Sequence, residues 1–307
     1  MAVPIVSFCN NKIFSLLQGQ IRILMKYTAL LLFLFSAIVT SSFAKSDTVQ
    51  IANSKTSITY KAVVVTPSSY EQGSKNYPTL YLLHGGIGKF SDWTKQISDK
   101  ALIQKLADQY GFIIVMPEGD VFSYYLDSPV VEKSQFDTYI SKDVVNFMDK
   151  NYRTIAKKEG RAITGLSMGG FGALYLSAKH PELFLAAGSM SGAINPDLKG
   201  WGLPQQAMID VGKGFASILG SKEEFPERYE EVSIINNIHV YKEHGIHLMI
   251  DCGVNDFLIQ PNRELHRRLV FEGISHDYTE RDGGHSWKYW ENALPYHLVF
   301  FASLLEK

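Results

Sequence analysis

Apolar and polar positions along this chain fall into two alternating textures. Short runs that read as strands occur at 57–66, which is rich in Val, Ile and Thr, and at 79–83, 112–116, 161–166, 185–190, 247–251 and 276–281. The first alternates apolar and polar residues, as a half-buried strand does. The runs at 79–83 and 112–116 are almost continuously apolar, as in strands covered on both faces. Stretches with helical spacing lie between them, at about 95–109, 136–150, 168–179, 258–271 and 287–304. Strands that alternate with helices predict an α/β protein with a mostly parallel central sheet and helices on both faces. No strand is expected between 191 and 245, only a helix around 226–238. Trp201, Pro204, Gly212, Gly214 and Pro226 mark this stretch as an excursion from the sheet. It reads equally as a cap-like insertion over a site, at about 192–245, or as a plain surface insertion.

The N-terminus has a different texture. An apolar run at 29–39 follows Lys26 and leads into Thr40-Ser41-Ser42-Phe43-Ala44. A basic flank, a short apolar run and small residues describe a secretory signal peptide, with cleavage expected after Ala44. The run is short of the ~20 residues that span a bilayer, so no stable membrane span is expected after cleavage. Met25 directly precedes Lys26 and reads as the true start, with 1–24 as upstream sequence. The expected location is secreted or periplasmic, and 45–307 reads as one domain.

This division changes how composition is read. The chain has 307 residues, 30 basic and 31 acidic, with a formal net charge of −1. Lys12, Arg22 and Lys26 all lie within 1–44, which has no acid, so 45–307 carries 27 basic against 31 acidic residues, a net charge of −4. A chain without a basic surplus is a poor partner for nucleic acid. Of the two cysteines, Cys9 leaves with the leader and Cys252 remains, so no internal disulfide is expected. The 45–307 segment is long enough to bury one large core without one.

The most informative motif is Gly165-Leu166-Ser167-Met168-Gly169, placed after an apolar strand and before an apolar helix. Such a turn strains the backbone at its central residue, so the neighbours must be small. It lifts the Ser167 hydroxyl clear of the sheet, at a helix N-terminus that favours developing negative charge. A serine needs a base, and the base needs an orienting acid. Among nine histidines, His285 stands out in Gly283-Gly284-His285-Ser286-Trp287, after the last expected strand. His276, within a strand, and His297, within a helix, read as structural. The acid is expected between Ser167 and His285, in the chain order nucleophile, acid, base. Asp256, in a loop past the 247–251 strand, is favoured over Asp251 at the strand's edge, and Asp282 is too near His285 in sequence. Two N–H groups, those of Met168 and of Gly86 in His84-Gly85-Gly86, are the expected oxyanion donors. His84 has no His or Cys partner at metal-ligand spacing, so neither a metal nor a cofactor is expected. Trp93, Tyr124, Tyr125, Phe257, Trp287, Tyr289 and Trp290 cluster in the site loops. Tyr124, Tyr125 and Trp287 are the weaker candidates for substrate contact, because aromatic residues usually pack.

Five segments together carry a family resemblance: Leu82-Leu83-His84-Gly85-Gly86; Gly-Leu-Ser-Met-Gly-Gly at 165–170 with Phe171-Gly172-Ala173; Ser189-Met190-Ser191-Gly192; Gly253-x-x-Asp256-Phe257-Leu258; and Gly284-His285-x-Trp287. Over about 55–305 the chain resembles the esterase-D-like group of α/β hydrolases. That group includes feruloyl and acetyl-xylan esterases, tributyrin esterases, S-formylglutathione hydrolases and mycolyltransferases. The resemblance implies an α/β-hydrolase fold, a Ser167–His285–Asp256 triad and oxyanion donors at Met168 and Gly86. It implies an esterase of small-molecule or polysaccharide-linked esters, the acyl group short-chain, acetyl or feruloyl. The other readings are a thioesterase of the S-formylglutathione type, an acyltransferase to a sugar, and a non-enzymatic carbohydrate-binding protein on the same fold. The leader argues against the first, since the glutathione thioesterases are cytosolic.

Overall fold

A computed structural model describes residues 46–305. The expected leader, its cleavage point, Met25 and Cys9 lie outside the described residues. Eight strands form one sheet: β1 (Ser46–Ala52), β2 (Thr59–Val65), β3 (Thr79–Leu83), β4 (Ile113–Pro117), β5 (Arg161–Leu166), β6 (Ala186–Met190), β7 (His247–Gly253) and β8 (His276–Arg281). Their order is β1-β2-β4-β3-β5-β6-β7-β8. β1 pairs antiparallel with β2, and β2 antiparallel with β4; every other pair is parallel.

Side chains alternate across the parallel strands, so each strand feeds two cores. Tyr81, Leu83, Ile113, Val115 and Ile163 pack on one face with Phe171 and Leu174 of the Met168–Lys179 helix. Leu80, Leu82, Ile114, Met116, Ala162 and Leu166 pack on the other, with the Leu102–Tyr110 and Trp287–Leu304 helices. This two-sided burial is why these strands read as near-continuous apolar runs. Among the described residues no helix is long and apolar enough to cross a membrane. Cys252 is buried and unpaired.

The expected elements recur, with some departures. β1 has no counterpart in the sequence reading: it alternates exposed and half-buried residues on the sheet's edge, so few apolar positions announce it. The expected 95–109 helix is instead one turn, Asp92–Lys95, and a helix, Leu102–Tyr110. The break is held by Glu291 of the last helix, whose carboxylate accepts the Ser98 and Asp99 N–H groups at 2.7 Å each. The 191–245 excursion holds a helix that was not expected, Gln205–Leu219, whose Gly212 and Gly214 weaken the helical signal. The 226–238 segment divides into Pro226–Val232 and a 3₁₀ turn, Ile235–Asn237.

His297 sits fully buried between the last helix and the sheet, with Nδ1 3.0 Å from Thr164 Oγ1. Gly188 of β6 makes the room, since a Cβ there would lie 2.4 Å from that nitrogen. Burial pushes the imidazole pKa down from 6.5 to about 3. A depressed folded pKa means that the contribution to stability is complete above the unfolded value and is lost as pH falls through 6.5 toward 3. The loss has a slope of up to about 1.4 kcal/mol per pH unit. Urea midpoints at pH 7 and pH 4.5 are therefore expected to differ less in His297→Gln than in the unsubstituted protein. Equal differences would remove His297 as the acid-sensitive group.

Candidate active site

The parallel strands all end on one edge of the sheet, and four of the loops that leave this edge meet. Ser167 follows β5 directly and opens the Met168–Lys179 helix at φ 54°, ψ −115°. This strained elbow is held by Ser167 N–H donating to Met190 O at 2.9 Å. It is crowded by backbone: a Cβ on Gly169 would lie 2.5 Å from His84 O, and one on Gly165 2.6 Å from Gly169 O. Only glycine fits on either side, which is the steric content of the motif.

The Asp256 and His285 loops are joined before their side chains meet. Val254 N–H donates to Arg281 O and Asn255 N–H to Gly283 O, each at 2.9 Å. Gly253 lies so close that a Cβ would stand 2.4 Å from Gly283 O. The loops then place Asp256 Oδ2 2.9 Å and Oδ1 3.0 Å from His285 Nδ1, and His285 Nε2 3.0 Å from Ser167 Oγ. Asp256 is buried and also accepts Leu258 N–H at 2.8 Å. The imidazole packs against Phe257, ring centres 4.4 Å apart, and against the edge of Trp290 at 4.8 Å. Trp290 is itself fixed by donating Nε1–H to Ser191 Oγ at 3.1 Å.

Asp251, the rival acid, is occupied elsewhere. It is fully buried in β7, paired with Arg281 and accepting the Tyr289 hydroxyl. Burial pushes its carboxyl pKa up, against the pull of Tyr289 and Arg281. Asp282 is exposed beside Asn255. His276 lies in β8 with Nε2 2.7 Å from His266 Nδ1, outside the cleft.

The loop after β3 supplies the other wall. His84 Nδ1 lies 2.8 Å from Gly85 O, which can only accept, so Nδ1 carries a proton and donates it, while Nε2 faces Gly119 N–H at 2.8 Å and Glu118 Oε1 at 3.2 Å. In a trans peptide the C=O and N–H point opposite ways, so clamping Gly85 O fixes the direction of Gly86 N–H. Met168 is the first residue of its helix, where N–H groups have no acceptor within the helix. His84 is thus a positioning group, which its sequence neighbours alone do not reveal.

Two expected contacts are corrected. Tyr124 and Tyr125 are buried away from the cleft. Tyr124 stacks on Phe215, ring centres 3.8 Å apart. Tyr125 fills the space left by Gly119 and Gly172 and donates its hydroxyl to His84 O at 3.0 Å. Their left-handed backbones, φ 50° and 58°, turn both rings inward. Trp287 does line the cleft, a space of about 350 Å³ that also holds Ser167, His285, Gly86 and Trp290. The residues that line this space include none from 192–245. Instead it borders a larger groove of about 670 Å³ with Gln260 and Pro261, and it touches the site region through Gly202 N–H donating to Phe257 O at 2.7 Å.

Comparison with known proteins agrees with this architecture. Residues 54–301 match the family described as "Putative esterase". The chain is 32% identical to an acetyl esterase of Caldicellulosiruptor saccharolyticus, over 71% of this chain and 80% of that protein. It is 30% identical to a diacylglycerol acyltransferase/mycolyltransferase of Mycobacterium tuberculosis, over 72% of each. A ferulic acid esterase structure superposes with a TM-score of 0.71 at 28% identity, over 86% of this chain and 99% of that one. The chain therefore has the α/β-hydrolase fold and belongs to this esterase family of carboxylic ester hydrolases.

Proposed function

We propose that the chain is an exported serine esterase that works through an acyl-enzyme. The observation that carries this reading is the continuous Asp256–His285–Ser167 relay, each link within 3.0 Å. His285 Nε2 takes the Ser167 proton as Oγ bonds to the ester carbonyl carbon. The carbonyl oxygen becomes an oxyanion, held by the Met168 and Gly86 N–H groups at the positive end of a helix. Collapse expels the alkoxide, which takes the proton from His285. Water, deprotonated by His285, then releases the acid and restores Ser167. Asp256 keeps the imidazole in the tautomer that this exchange needs. Export rests on Lys26, the apolar 29–39 run and the small residues up to Ala44. The acyl group is short-chain, acetyl or feruloyl, on a small or carbohydrate alcohol, in keeping with the acetyl esterase and ferulic acid esterase likenesses.

A fluorophosphonate probe is expected to label one serine, identified by peptide mass as Ser167. Absence of labelling in the folded protein would favour a binding protein over an enzyme. The mycolyltransferase likeness keeps acyl transfer as a second reading. Adding methyl glucoside during turnover separates the two: free acid alone supports hydrolysis, and acylated glucoside supports transfer.

A further inference from the structure

The peptide that joins Met190 to Ser191, at the end of β6, is tied to the elements on both sides of it. Its carbonyl, Met190 O, accepts the Ser167 N–H at 2.9 Å. Its N–H, that of Ser191, donates at 2.7 Å to Asp251 O of β7, the strand that leads to Asp256. The Ser191 side chain makes a third link. Its Oγ accepts Trp290 Nε1–H at 3.1 Å, and the indole meets the His285 imidazole at 90°, ring centres 4.8 Å apart. Ser191 and Trp290 are buried, and Ser191 Oγ is the indole's only acceptor among the described residues. Ser191 has φ 50°, a left-handed backbone that strains a side-chain-bearing residue and suits glycine. The hydroxyl is therefore what serine adds at this position. The Asp256 bonds alone do not fix the imidazole. They hold Nδ1, and a ring held at one atom can still tilt about it. Nε2 is two bonds further on, so tilt carries it away from Ser167 Oγ. Phe257 and Trp290 meet the ring at interplanar angles of 41° and 90°. Phe257 adjoins Asp256 in the chain and moves with it. Trp290 stands on a separate helix, Trp287–Leu304, and is the independent stop.

Resting on the serine-esterase reading above, we propose that Ser191 is a positioning residue for the base. Its hydroxyl pins the Trp290 indole, and the indole holds the imidazole plane where Nε2 reaches both Ser167 Oγ and the leaving alkoxide. The backbone of the same residue ties the nucleophile's elbow to the strand before the acid, so Ser191 sets all three loops in one register. This role bears on proton transfer and not on substrate binding, so it acts on kcat.

Ser191→Gly tests this, because it removes the hydroxyl, keeps both backbone bonds and relieves the strain at φ 50°. With p-nitrophenyl acetate it is expected to lower kcat roughly tenfold to a hundredfold, as a misplaced reacting group does. KM and the urea midpoint are expected to stay close to those of the unsubstituted protein. Trp290→Phe, which keeps a ring but has no N–H, is expected to lower kcat by a similar factor. The double variant is expected to lose no more than either single one, because the two groups act as one link. An unchanged kcat in either single variant that folds overturns the proposal, and so do losses that multiply in the double variant. If the unsubstituted protein does not hydrolyse the ester, the esterase reading fails instead. The pin is then judged by NMR of histidine-labelled protein, on the His285 Cε1–H resonance that the rings of Phe257 and Trp290 displace. Movement toward the position of an unpacked imidazole in Ser191→Gly supports the pin, and an unmoved resonance overturns it.

Discussion

Ser167→Ala is expected to reduce turnover of p-nitrophenyl acetate by about 10⁴-fold or more, to the residual rate that binding and the oxyanion donors alone can provide. The fold is expected to survive. Ser167 holds its elbow through backbone bonds, its N–H to Met190 O and its C=O accepting from Phe171 and Ala193 N–H, none of which involves the hydroxyl. The strain at φ 54° belongs to alanine as much as to serine. The measurement pairs initial rates with the urea midpoint. Retained turnover at an unchanged midpoint would move the nucleophile elsewhere. A lost midpoint would show only that the elbow had collapsed.

Asp256→Asn is expected to cost about 10⁴-fold in kcat, with little change in KM. An asparagine amide turned toward His285 would donate to Nδ1 and force the ring proton onto Nε2, the atom that must accept the Ser167 proton. Asp251→Asn is the informative contrast. It leaves the imidazole alone but weakens a buried pairing with Arg281 and Tyr289, so its loss should appear in stability, by several kcal/mol, and only secondarily in rate. A larger kcat loss in Asp251→Asn than in Asp256→Asn, both measured below their melting temperatures, would reverse the assignment of the acid.

How far this site was legible depended on how local each cause was. The elbow could be read because the steric demand falls on Gly165 and Gly169, within two residues of Ser167. Asp256 could be read because it lies just past β7, whose apolar run is plain, and His285 because the glycines at 283 and 284 mark a turn late in the chain. Tyr124 and Tyr125 misled because their direction is set by a distant helix, through Phe215, and by gaps at Gly119 and Gly172. No short window of sequence holds both sides of that packing. The positioning role of His84 could not be read for a similar reason: its partner Gly119 comes from the loop after β4. The edge strand β1 was invisible because a half-exposed strand spends few apolar residues. The broken 95–109 helix depended on Glu291, almost two hundred positions away. The 192–245 segment announced itself as irregular, but only three-dimensional packing shows that it borders the groove beside Gln260 and Pro261.

The three reacting groups also come from strands of unequal protection. Ser167 leaves β5, which is buried along its whole length between β3 and β6. His285 follows β8, one of the sheet's two edge strands, none of whose residues is fully buried. Edges of a sheet open at lower free energy than its centre. The relay is therefore only as durable as its most exposed member, and a molecule whose β8 margin has frayed can keep a native-looking interior while being chemically silent.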